Sequence, residues 1–132
     1  EEEYPIREAW TRQIDLIEID AERDAITDNG QEAYNLLAQH SIDNVILMGV
    51  HLNMCVLGRP VGIRQMVTVG KNVVLMRDMT DTMYNPKKRP FVSHFAGTDL
   101  VVQHIEKFWC PSITSTALTG KAPFRFKNDP RK

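Results

Sequence analysis

The most apolar stretch of this sequence reads Asn44-Val45-Ile46-Leu47-Met48-Gly49-Val50. A continuous apolar run that follows a helical segment is typical of a strand buried on both faces of a parallel sheet. A second run of the same kind, Val73-Val74-Leu75-Met76, comes shortly after Gly70, a residue that commonly ends a helix. The two runs therefore predict two parallel strands joined by a helical crossover.

Apolar residues at helical spacing predict three helices around these strands. The first covers residues 31–40, and the third covers residues 98–109 and stops before Pro111. The second runs from residue 53 to residue 67. Pro60 lies beyond its first turn, where a proline costs about 3 kcal/mol or more, so a kink or a helix in two pieces is expected.

Two shorter strands complete the predicted order. Residues 14–19 alternate in part between apolar and acidic side chains, which predicts a strand open to water on one face, and residues 112–116 predict a short edge strand. The alternation of strands and helices favours an α/β fold with a mainly parallel sheet of four strands and helices on both faces. Residues 77–97 form a long connection, and such loops tend to be functional or mobile.

The composition is that of one ordinary domain. The chain has 132 residues, of which 42% are apolar and 25% charged, and its net charge is −1. No apolar run approaches the roughly 18–20 residues of a membrane span, and the acidic start Glu1-Glu2-Glu3 is unlike a signal peptide. We therefore expect no membrane association and a cytoplasmic location. We assign residues 1–120 to the domain and residues 121–132 to a basic C-terminal tail.

Basic side chains do not form a nucleic-acid surface in this sequence. Five of them lie in the tail, but no stripe of Lys and Arg with interleaved aromatic residues runs through the body of the chain. We therefore expect no nucleic-acid partner. The two cysteines and four scattered histidines form no CxxC or other zinc-like spacing, so no metal and no cofactor are predicted.

Cys55 lies where an α/β sheet binds its ligands. It follows Val50 by five residues and falls near the first turn of the next predicted helix, beyond the carboxyl end of the strand. The N–H groups at such a helix start favour a thiolate and can bind the oxyanion of an attacked carbonyl. The alternative is a cysteine that packs as a small hydrophobic residue, the role that we assign to Cys110.

The residues around Cys55 resemble the nucleophile segment of the isochorismatase-like cysteine hydrolases. That segment reads roughly G-V-x-T-x-x-C-V, and the sequence here is Gly49-Val50-His51-Leu52-Asn53-Met54-Cys55-Val56, with Asn53 near the position of the threonine. Residues 41–48 resemble the family's approach to that strand, and residues 70–78 resemble the following strand, which ends in an aspartate. The resemblance covers roughly residues 14–115.

This resemblance implies a three-layer α/β/α, Rossmann-like fold and a hydrolase that acts on a small amide or a related C–N bond. Cys55 would attack the carbonyl and form a thioester-type intermediate that water clears. The backbone N–H groups of His51 and Cys55 would form the oxyanion hole, and the Val50–His51 peptide bond would be cis. The substrate would be a small molecule.

Two catalytic groups of that family have no match in this sequence. The family's aspartate ends a first strand that reads V-x-D-x-Q, and no Asp-x-Gln occurs here, so we interpret the chain as the C-terminal portion of the domain with its N-terminal strands missing. An open sheet edge then favours a homo-oligomer or a missing companion segment. The family's lysine would lie between residues 19 and 31, but the earliest lysine is Lys71. Arg23 stands near that place and can supply a cation but cannot accept a proton.

Several local residues are candidates for the missing roles. Asp78 and Asp81 follow the strand core that ends at Met76, so either is a candidate base, although an aspartate there is more often a loop cap. The rings of His51 and His94 are candidates for substrate contact. Two other hypotheses stay open: a degenerate relative that binds a ligand or partner without catalysis, and an unrelated doubly wound domain.

Overall fold

The structure is a computed structural model that describes residues 12–131. Its centre is a parallel sheet of three strands in the order β1-β2-β3, where β1 is Asn44–Val50, β2 is Asn72–Asp81 and β3 is Ser112–Ile113. The helices are α1 (Gly30–Gln39), α2 (Ile63–Thr68), α3 (His94–Phe108) and α4 (Thr116–Thr119), and a π-helical turn (Leu52–Val56) follows β1. The fold is therefore α/β with a small parallel sheet, as the two apolar runs predict.

Side-chain caps explain where two of the helices begin. The side chain of Asn29 accepts hydrogen bonds from the N–H groups of Gln31 and Glu32, at 2.9 and 3.2 Å, so α1 begins at Gly30. Ser93 caps α3 in the same way, since its Oγ accepts from the N–H of Ala96 at 3.3 Å. This cap starts α3 four residues earlier than the apolar spacing predicts.

The helix predicted after β1 is in two pieces, as Pro60 predicts. The first piece is the π-helical turn, which continues through Leu57 and Gly58, and the second is α2. Between them the chain turns tightly, because the N–H of Gly62 donates to the carbonyl of Arg59 at 2.7 Å. Cys55 therefore lies in the first piece.

One face of the sheet carries the core. The connections from β1 to β2 and from β2 to β3 run in the same direction, so right-handed crossovers place α2 and α3 on the same face. Ala33 and Leu37 of α1 also pack against this core. The buried cluster comprises Leu52, Leu57, Ile63, Met66, Val73, Leu75, Val102, Ile105 and Cys110.

The other face of β1 is open to solvent in the described part of the chain. Ile46, Met48 and Val50 alternate along the strand, and their exposed fractions are 40%, 56% and 60%. Further along the sheet, Met76 of β2 is 3% exposed. The sheet is therefore covered unevenly. Among the described residues β1 is an edge strand with one exposed face, so the prediction that both of its faces are buried is wrong.

The predicted strand over residues 14–19 is wrong. The N–H of Ile17 donates to the carbonyl of Ile14 at 3.0 Å and closes a turn, and Leu16 is 87% exposed. Leu16 and Ile17 are adjacent apolar residues, which breaks the alternation that a half-buried strand needs. Among residues 12–131 the sheet therefore has three strands, one fewer than predicted.

β2 is longer than its apolar core, and its pairing with β1 is irregular. Leu47 lies opposite Leu75, but Gly49 lies opposite Thr80, so β1 advances by two residues while β2 advances by five. The hydroxyl of Thr80 donates to the carbonyl of Met76 within this irregular stretch, at 3.1 Å. As a result Asp81, and not Asp78, lies opposite Val50 at the carboxyl end of β1.

The basic C-terminal segment contacts the domain. The N–H of Phe124 donates to the Asp78 carboxylate at 2.8 Å, and Arg131 donates to the carboxylates of Asp99 and Asp129, each at 2.6 Å. These two carboxylates raise the pKa of Arg131, with Asp129 contributing most. Within residues 12–131, no helix is both long enough and apolar enough to cross a bilayer.

Candidate active site

Cys55 lies in the π-helical turn at the carboxyl end of β1. Leu52 is fully buried and Leu57 is 7% exposed, so both ends of the turn are anchored in the core. Cys55 itself is a half-buried free thiol between these anchors. The strand, turn and helix order that the sequence predicts around this cysteine is confirmed.

One backbone donor at the start of the turn has no acceptor among the residues that the structure describes. The carbonyl of His51 accepts from the N–H groups of Met54 and Val56, at 3.1 and 3.2 Å. The N–H of His51 donates to no acceptor within residues 12–131. The Val50–His51 peptide bond is cis, as the resemblance implies. An N–H group at the start of a turn that carries a thiol is the kind of group that can bind an oxyanion.

Gly62 packs against the π-helical turn Leu52–Val56, called the cysteine turn below. A Cβ at this position would lie 2.7 Å from the carbonyl oxygen of Val56 and 3.0 Å from that of Cys55. The Cys55 carbonyl also accepts from the N–H of Arg59 at 3.1 Å. These contacts are between backbone atoms, which cannot move aside as a flexible side chain can. The path of the chain behind Cys55 therefore depends on glycine at residue 62.

Asn53 joins the cysteine turn to the segment that follows β2. Its side-chain amide donates to the carbonyl of Met83 at 3.1 Å, and its side-chain oxygen accepts from the N–H of Met83 at 3.0 Å. Asn53 satisfies both backbone groups of one residue 30 positions away. The sequence identifies this residue only as a departure from the family's threonine.

Asp81 and His94 form a hydrogen-bonded pair at the carboxyl end of the strands, the end of the sheet at which the Cys55 turn also lies. His94 Nε2 lies 2.7 Å from Asp81 Oδ1, and His94 Nδ1 lies 3.3 Å from the Tyr84 carbonyl oxygen. The hydroxyl of Thr98 donates to Asp81 at 3.3 Å and contacts the hydroxyl of Thr82 at 2.7 Å. Both ring nitrogens of His94 are thus engaged within the chain.

Asp78 is bound to the segment that follows β3. Its carboxylate accepts from the hydroxyl and the N–H of Ser115 and from the N–H of Phe124. Partial burial alone would raise the pKa of Asp78, but these hydrogen bonds together outweigh it and lower the pKa below its usual value. Asp78 therefore has a structural partner, and a supporting role at Cys55 stays a prediction.

The remaining candidates lie in different surroundings. Arg23 is exposed in a turn, and its guanidinium makes no ion pair with any residue of the described range 12–131. The ring of His51 is half-buried. Cys110 is buried in the core, and this burial raises the pKa of its thiol, with a smaller contribution from Glu106. Cys55 is therefore the more accessible of the two thiols.

Three residues contribute to the site without having been predicted from the sequence. Gly62 and Asn53 act through the contacts described above, and Tyr84 acts through its hydroxyl, which bonds to the carbonyl of Lys88 and the N–H of Val92. A glycine two residues after Pro60 is a weak signal of a tight turn, and a polar residue at the motif's threonine position is a weak signal of a side-chain bond. Nothing in the sequence indicates which residues Gly62 and Asn53 contact.

Comparisons with protein-family models, with curated proteins and with solved structures found no match to this chain. In the part of the chain that the structure describes, no three His, Cys, Asp or Glu side chains are grouped so that they could hold a metal ion.

Proposed function

We propose that this chain is the C-terminal portion of an isochorismatase-like cysteine hydrolase, which cleaves a small amide or a related C–N bond through the Cys55 thiolate. The observation that carries the proposal is the placement of Cys55. It is a free, half-buried thiol in a turn that directly follows a parallel strand. The N–H of His51, at the start of that turn, has no acceptor among residues 12–131.

The chemistry follows from these groups. The Cys55 sulfur forms a bond to the carbonyl carbon, and the carbonyl oxygen takes the displaced electron pair as an oxyanion near the His51 N–H. Collapse of this intermediate breaks the C–N bond, and the amine leaves with a proton. Water then hydrolyses the thioester, which releases a carboxylate and restores the thiolate. The proton transfers require an acid–base group in addition to the thiol.

We also propose the three-layer α/β/α arrangement and a homo-oligomer. Helices α1, α2 and α3 contribute to the core on one face of the sheet. The exposed side chains of Ile46, Met48 and Val50 lie on the opposite face, where Leu118 of α4 lines a pocket together with Met48 and Met76. β1 pairs only with β2 among residues 12–131, so one row of its backbone N–H and C=O groups stays available to another copy. The partners of the protein would be a small-molecule substrate and its own copies.

A second candidate function is a degenerate domain that binds a ligand or partner and does not catalyse. One observation favours it: the local acid–base candidates are engaged elsewhere. Asp78 is held by Ser115 and Phe124, and Asp81 is held by His94 and Thr98. In such a domain Cys55 would be an accessible thiol without a proton-transfer partner.

Amide turnover in matched cysteine variants separates the two functions. The full-length protein is assayed for ammonia or amine release from a panel of small amides, together with Cys55→Ala and Cys110→Ala. A hydrolase predicts that Cys55→Ala lowers kcat by about 1000-fold or more, while Cys110→Ala retains turnover in the fraction that folds. Turnover that survives in Cys55→Ala would overturn the hydrolase proposal. Binding of an amide without turnover would favour the degenerate domain.

A further inference from the structure

Asn53 is placed to control the position of the cysteine turn. It lies two residues before Cys55, and its side chain forms two hydrogen bonds with the backbone of Met83, at 3.0 and 3.1 Å. A side-chain amide that satisfies both the N–H and the C=O of one residue fixes distance and orientation together, as a pair of backbone groups does in a sheet. The turn is therefore attached to a defined point on the next connection.

The connection that carries Met83 is itself tied to α3. The ring of Tyr84 lies against Gly97, where a Cβ would approach within 2.4 Å of the ring. The Tyr84 hydroxyl donates to the carbonyl of Lys88 at 3.2 Å and accepts from the N–H of Val92 at 3.3 Å. Residues 82–93 thus fold around Tyr84. The packing of this tyrosine against α3 therefore also holds the neighbouring Met83.

We propose that Asn53 is a positioning residue that couples the Cys55 turn to residues 82–93. This inference rests on the proposed function of Cys55 and names how the site is held. Through Met83, the orientation of the turn depends on the packing of Tyr84 against α3, so the thiol and residues 82–93 move as one unit.

The alternative is that Asn53 stabilises the fold without any specific effect on the thiol. Two probes in the same chain distinguish these roles. The half-buried Cys55 reports on local movement of the turn, whereas the buried Cys110 reports on opening of the whole core. The ratio of their alkylation rates by iodoacetamide, measured by mass spectrometry of the two peptides, therefore separates local release from global destabilisation.

Asn53→Ala removes both hydrogen bonds, and Asn53→Asp keeps the acceptor for the Met83 N–H. In Asn53→Ala we expect the Met83 amide to exchange with solvent about tenfold faster, and alkylation of Cys55 to rise at least roughly fivefold relative to Cys110. In Asn53→Asp the Met83 amide should stay protected. The matched control is Asn85→Ala, which removes an asparagine bond to the Lys87 N–H in the same connection and should change neither readout.

Two results would overturn the inference. One is unchanged Met83 exchange and unchanged Cys55 alkylation in Asn53→Ala. The other is a parallel rise at Cys55 and Cys110, which would assign Asn53 to general stability. Neither readout depends on turnover, so the inference and the hydrolase proposal fail separately: Cys55→Ala can retain activity while Met83 exchange still responds to Asn53.

Discussion

Gly62 makes the position of Cys55 sensitive to a single methyl group. The added Cβ of Gly62→Ala would lie 2.7 and 3.0 Å from two carbonyl oxygens of the cysteine turn, and 3.0 Å from the carbonyl oxygen of Arg59. We expect a loss of about 2 kcal/mol or more in the free energy of unfolding, measured by urea titration, and altered alkylation of Cys55.

Gly58 provides the matched control for this prediction. It lies in the same segment, but a Cβ there meets no atom within 4 Å. Gly58→Ala should therefore change the unfolding free energy by less than about 1 kcal/mol. Equal effects of the two substitutions would show that the close approach at Gly62 is not what shapes the turn.

At the level of the strands, Asp78 connects β2 to the C-terminal segment. Its folded pKa lies below the usual value, so its stabilising contribution is present above the unfolded pKa of about 3.9 and is lost as the pH falls through the folded pKa. Asp78→Asn should lower the unfolding free energy by about 2 kcal/mol at pH 7 and by clearly less at pH 3, as measured by urea titration at both pH values.

Asp28→Asn is the control for this pH dependence. Asp28 is exposed and takes part in no hydrogen bond or ion pair between described residues, so its substitution should have little effect at either pH. A cost of Asp78→Asn that is the same at pH 7 and pH 3 would contradict the proposed role of the ionised carboxylate.

The elements that could be predicted from the sequence are those with local signals. α1 has a capping asparagine and apolar residues at helical spacing, β1 is a continuous apolar run, and Pro60 divides the segment that follows. Residues 14–19 have only partial alternation, and a strand also needs a neighbour to accept its backbone hydrogen bonds. That neighbour is a tertiary property, so the prediction of this strand failed.

The position of Cys55 after an apolar strand could be predicted from the sequence, but the contacts around it could not. Cys55 is marked by its position after an apolar strand and by the motif around it. Asp81 reaches the end of β1 only because β2 advances by five residues where β1 advances by two, an irregularity that alternation of residue types does not encode. The bond between Asn53 and Met83 likewise joins segments 30 residues apart.

At the scale of the whole molecule, the uncovered part of β1 predicts self-association. β1 contains no charged residue and no proline, which are the residues that usually protect an edge strand. Met48→Lys places a charge in the middle of the open face and should weaken association of the copies by about tenfold or more, measured by sedimentation velocity over a range of concentrations. The reason is that a desolvated lysine would have to be buried at the contact.

Leu100→Lys is the control for association. Leu100 is 46% exposed on α3, away from β1, and should leave the association constant unchanged. A protein that sediments as a monomer at all concentrations would contradict the homo-oligomer. Equal effects of Met48→Lys and Leu100→Lys would contradict β1 as its contact.

A nucleophilic Cys55 forms a thioester with the acyl group of the substrate, and this intermediate can be trapped. The full-length protein is quenched with acid during turnover of an amide substrate, and its peptides are weighed by mass spectrometry. If Cys55 is the nucleophile, the peptide containing Cys55 gains the mass of the substrate's acyl group, while the peptide containing Cys110 is unchanged. Turnover in Cys55→Ala at the wild-type rate, with no acyl group on Cys55 of the wild type, would contradict this role.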